Sequence, residues 1–80
     1  MAHAKTEREW AERAARHLKA ELKRADLTYE ELADRMKKHG FKDQTEAGVT
    51  MKLKRGTFNA TWFLAALVAI GAETVKLEDI

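Results

Sequence analysis

The chain has 80 residues, enough for one domain, at a size where only about 60% of the unfolded surface is buried on folding. It has no Cys, Pro or Ser, which excludes a disulfide scaffold, a thiolate metal cage and two common covalent nucleophiles. The formal net charge of +2 is unevenly spread: residues 1–34 sum to −1 and residues 56–80 to −2, whereas residues 35–55 carry seven Lys/Arg against Asp43 and Glu46, giving +5.

Charge focused on one segment points to a polyanionic partner more strongly than a uniform excess does. The longest uncharged apolar run, Ala60 to Ala72, falls short of the ~20 residues a bilayer span needs, and the N-terminal stretch has no signal-peptide core. The chain therefore reads as soluble and cytoplasmic, with no membrane partner.

A first helix is expected from about Glu7 to Arg24. Thr6 and Glu9 have capping-box spacing, and Trp10, Ala14, Leu18 and Leu22 form an apolar stripe flanked by Ala11, Ala15 and Ala25. On its solvated sides Glu12–Arg16 is a favourable i,i+4 pair and Lys19–Lys23 is not. The second helix has the clearest start in the chain: Thr28 as cap, Glu31 closing a capping box and Leu27 stapling onto Leu32. Tyr29, Leu32, Ala33 and Met36 form its inner face, Gly40 ends it, and Phe41 anchors the link that follows.

The third helix is "TEAGVTMKLKRG", capped by Asp43 with Glu46 or by Thr45 alone, and closed by Gly56. Val49 and Leu53 are its inward pair. The fourth helix starts at Asn59, with Phe58 and Phe63 as a staple, and stops at Gly71. Apolar on all sides, it serves either as the hub of a bundle or as a subunit interface. In the tail, Val75 and Leu77 alternate with polar residues and read as a short strand. Such a strand either pairs with its copy in a dimer or packs loosely on the bundle.

Three segments, "TYEELADRM", "KLKRG" and "NATWFLAALVAIG", resemble the lambda-repressor/Cro-type helix-turn-helix, with its T-x-E-E-L-A-x-R pattern, its recognition helix ending in R-G and its next helix ending in a hydrophobic residue and Gly. The resemblance covers about Thr28 to Gly71 and departs in "KKHGFKDQ", longer than the family's turn of about four residues. The whole chain also resembles a small bacterial domain family of unknown function that shares a Trp-bearing first helix, "TYxxLA", "TEA", "K-x-x-RG-x-F" and a closing "AIG". The implied fold is all-α, a bundle of four or five helices with a helix-turn-helix core and a short C-terminal strand.

The implied function is a non-enzymatic DNA-binding module, of the kind used in transcription regulation, acting as a homodimer on double-stranded DNA. With Val49 and Leu53 inward, Gln44, Gly48, Met51, Lys52 and Arg55 are the candidates to face bases. Thr28, Lys38, Lys42, Lys54 and Asn59 are candidates for phosphate. Trp62, Val68, Val75 and Leu77 are candidates for the dimer interface, with Trp10 and Trp62 as core or interface anchors. Ala47, Gly48 and Met51 are sparse for base reading and could equally form an apolar patch for another helix. The alternative is a protein-interaction or homodimerisation domain on the same scaffold, without a DNA role. His17 and Glu21 lie one turn apart, but a zinc site needs three or four ligands. No metal, cofactor, small-molecule substrate or catalytic set is expected.

Overall fold

Each of the four α-helices begins where a side chain takes over a backbone donor that the helix leaves orphaned. In the computed structural model, which describes residues 3–80, α1 spans Glu7–Arg24, α2 Tyr29–Met36, α3 Glu46–Arg55 and α4 Ala60–Ile70. Thr6 Oγ1 accepts from the Glu9 N–H at 3.1 Å, while the Glu9 carboxylate accepts from Lys5 rather than Thr6, so this box is only half closed. The Thr28–Glu31 box is complete, with bonds of 3.1 and 3.0 Å. Thr45 caps α3, accepting from the Gly48 N–H at 3.0 Å, and Asn59 caps α4, accepting from the Trp62 N–H at 2.9 Å.

The ends are equally local. Gly71 and Ala72 donate back to Val68 and Leu67 in a Schellman closure, and α1 closes the same way with Asp26 at φ 57°. A 3-10 turn, Lys37–His39, prolongs α2 to Gly40, and the Phe41 N–H returns to the Met36 carbonyl at 3.2 Å. Gly56 has two reasons to be glycine: its φ is +66°, and a Cβ there would lie 3.1 Å from both Cβ and carbonyl oxygen of Ala11. The end of α3 is thereby pressed onto α1.

Both α3 and α4 rest on α1 and α2. Leu18, Leu22, Leu32, Met36, Val49, Leu53 and Trp62 fill the space between them and are essentially inaccessible to solvent. Arg35 ties α2 to the far end of α4, donating from Nη1 to the Ala69 carbonyl at 3.1 Å, one of the orphan acceptors of the last turn.

Three expectations are corrected. Trp10 is 46% exposed and stands 6.3 Å from His3, because α1 buries Ala15, Leu18 and Leu22 instead. The contact at Gly56 requires a small residue there, and Ala11 supplies it. Glu12 pairs with Arg8 at 3.3 Å, not with Arg16. The tail forms no strand, and no strand occurs among the described residues. Residues 77–79 make a 3-10 turn closed by Asp79 N–H to Lys76 and Ile80 N–H to Leu77. Without a neighbour to pair with, an isolated extended segment leaves its backbone groups unbonded, and the local turn satisfies them.

The capping box also sets a pH dependence. The Thr28 backbone N–H, then the Thr28 hydroxyl, then the nearby Arg35 charge hold the Glu31 carboxyl below its ordinary value of 4.5. A carboxyl depressed by folding stabilises the fold above its unfolded value and ceases to do so as pH falls through the folded value. Urea midpoints recorded from pH 6 down to about pH 3 should therefore fall for the native chain, and Glu31→Gln should flatten part of that acid-side decline.

Candidate functional site

The exposed face of α3 carries Glu46, Ala47, Thr50, Met51, Lys54 and Arg55, with Lys52 half-buried at its edge. Gln44, expected to face bases, turns the other way. It is the only buried polar residue among those described, and both its amide oxygen and its amide nitrogen have a partner. The indole Nε1 of Trp62 donates to Gln44 Oε1 at 2.8 Å, and Gln44 Nε2 donates to the Thr45 carbonyl at 3.1 Å. A buried indole N–H needs an acceptor, and Gln44 supplies it across 18 residues of chain. Gly48 is explained by the same contact, since a Cβ there would lie 2.8 Å from Gln44 Nε2. That glycine accommodates the protein's own side chain.

Trp62 is likewise a core residue of its own subunit, 2% exposed, and so drops out of the proposed dimer interface. Phe58 packs against it with ring centroids 5.2 Å apart and stacks on Phe63 at 5.7 Å, as the staple predicts. Lys52 places its Nζ 5.7 Å from the centre of the indole, a cation–π position rather than a base-facing one. Thr28 commits both its hydroxyl and its N–H to Glu31, and Glu30 and Glu31 fill the first turn of α2. That turn repels phosphate. The first turn of α4 holds no acidic residue, and Asn59 at its cap borders a groove between α1 and the end of α3.

This groove, of about 1260 Å³, runs between α1 and the end of α3. Lys52, Lys54 and Arg55 line one wall and Arg8, Arg16 and Lys19 the other, with Glu7 and Glu12 as the lining acids. Arg8 is paired with Glu12, but Arg16, Lys19, Lys54 and Arg55 have no ion pair among the described residues. The other cations of residues 35–55 go elsewhere. Arg35 is bound to α4, Lys37 pairs with Asp34 at 3.3 Å, and Lys38 and Lys42 are exposed but do not line the groove. The basic segment is therefore split, and half of the groove's cations come from α1, whose own excess of six Lys/Arg over four Glu is masked in the total for residues 1–34 by Asp26, Glu30, Glu31 and Asp34. The Lys19–Lys23 repulsion was the one local signal of an unbalanced face there.

A family model described as a domain of unknown function (DUF6471) matches residues 10–75. The chain belongs to this family. No curated protein and no solved structure matches it. The family match spans everything that builds the groove except the first turn of α1, and it supports the kinship read from the Trp-bearing helix and the closing "AIG".

Of the remaining interface candidates, Val68 is 57% exposed and Leu77 82%, while Val75 lies partly buried against the core.

The Gln44–Trp62 contact is open to direct test. Gln44→Ala should cost roughly 1–3 kcal/mol by orphaning the indole N–H, read from urea denaturation. Gly48→Ala should then stabilise the Gln44→Ala background by up to about 1 kcal/mol through helix propensity, and stabilise the native chain less or not at all. Equal effects in the two backgrounds would contradict the contact.

Proposed function

We propose that this domain binds double-stranded DNA without catalysing a reaction, with α3 as the element that approaches the duplex. α2 and α3 serve as the paired helices of a helix-turn-helix whose connection is lengthened to residues 37–45. The observation that carries this reading is the pair of unpaired cations Lys54 and Arg55, set on the exposed face of α3 beside the bare Ala47 and Met51. Backbone phosphates are met by such side chains, and affinity comes from release of condensed counterions. Base reading is thin. With Gln44 turned inward, only Met51, 41% exposed, and Arg55 remain to touch base edges. Binding should therefore be strongly salt-dependent and weakly selective. Control of transcription is the use such a module would serve.

Fluorescence anisotropy with a labelled duplex at low salt tests this. The native chain should bind, and the Lys54→Gln/Arg55→Gln pair should weaken binding about tenfold and reduce the slope of log K against log salt by roughly 2. No binding at micromolar protein would sink the DNA reading.

A second reading is favoured by α4. Leu64 and Val68, 60% and 57% exposed, stand one turn apart on a helix without a charged residue. Exposed apolar side chains at this spacing suit self-association through α4. Sedimentation of the native chain should then show a dimer that Val68→Glu converts to monomer. A native chain that is monomeric at all concentrations removes this reading.

A further inference from the structure

The cations of α3 have a structural use that those of α1 lack. Lys52, Lys54 and Arg55 occupy the last turn of α3, where positive charge offsets the negative end of the helix dipole. Arg16 and Lys19 sit in the middle of α1, where no such benefit exists, and no carboxylate neutralises either of them. Lys19 also repels Lys23 one turn away. Yet both line the same groove as Lys54 and Arg55, so unpaired cations of two walls face one open channel, with Glu7 and Glu12 toward the start of the α1 wall.

We propose that this groove seats one phosphodiester strand, and that Arg16 and Lys19 contact its phosphates on a par with Lys54 and Arg55. The inference rests on the reading that the partner is a nucleic acid and extends the interface from α3 to α1. Three features fit a strand. Arg16 and Lys19 are about 4.5 Å apart along the helix axis, so their long side chains can reach neighbouring phosphates. The groove is floored where Gly56 at the end of α3 packs on Ala11 of α1, so a strand would lie across that contact and not between the helices. The end of α4 that borders it is capped by Asn59 and carries no acid in its first turn, so nothing there repels an anion. The channel is open and charged, which suits a solvated backbone better than an apolar ligand.

The test compares Arg16→Gln/Lys19→Gln with Lys23→Gln/Lys76→Gln, an equal loss of charge outside the groove and at positions with no assigned DNA contact. All four positions are exposed, so circular dichroism should be unchanged in both variants. Anisotropy is measured with a labelled duplex and with one of its single strands at low salt. The groove pair should weaken binding about tenfold and lower the salt slope by roughly 2, while the outer pair should change affinity less than about threefold. Equal losses in both variants, or no loss in the groove pair, overturn the groove. Binding of the single strand alone, with the loss confined to the groove pair, upholds the groove and overturns the duplex reading. Failure of the native chain to bind either probe overturns both.

Discussion

The indole N–H of Trp62 is the constraint on which the arrangement of α3 and α4 depends. Trp62 is the largest side chain in the core, and its ring brings one polar hydrogen into a space that is otherwise hydrocarbon. An unanswered donor there would cost roughly 1–3 kcal/mol, a large share of the stability of a chain this small. Gln44 answers it from just before α3. That bond ties the residue before the α3 cap to α4 and leaves a side chain at Gly48 no room unless Gln44 shifts, while Lys52 lies over the face of the same ring. Gly56 performs the complementary task at the other end of α3, where it lets the helix settle on Ala11 of α1. Pinned at both ends, α3 has little freedom to turn its apolar pair Val49 and Leu53 away from the core.

This pinning decides what α3 can offer a partner. With the amide just before α3 committed to the core, and no amide side chain within the helix, few groups remain for recognising base edges. What remains outside is a small, nearly bare patch and a basic end. The basic end gains a second wall from α1 because Gly56 allows close contact, so the packing of two helices creates an electrostatic feature that belongs to neither alone. Charge of one sign gathered in a groove raises the local concentration of counterions or of a polyanion, and its release on binding is the source of salt-dependent affinity.

The elements were legible to a degree that follows from where their signals lie. Thr28 and Glu31, Asn59, and the stops at Gly40, Gly56 and Gly71 act within one turn of themselves, so the residues that cause each boundary sit beside it. The inward pair Val49 and Leu53 was legible for the same reason, since a helical period fixes which residues share a face. Trp10 was misread because the stripe of α1 has two neighbouring candidate faces. The choice between them was made by Gly56, more than forty residues away. The tail was misread because alternation is a necessary sign of a strand and not a sufficient one. A strand also needs a neighbour, and none exists in the described chain.

By itself, the sequence determined an all-α domain, the starts and stops of its helices, and a concentration of positive charge in one segment. These are short-range or additive properties. Only the tertiary structure decided which way Gln44 points, which half of the basic segment lies free, and that Arg16 and Lys19 join it. The reason is physical: a side chain's direction and a charge's neighbours are set by distances in space, and Gln44 meets Trp62 eighteen positions away while Arg35 meets Ala69 thirty-four positions away.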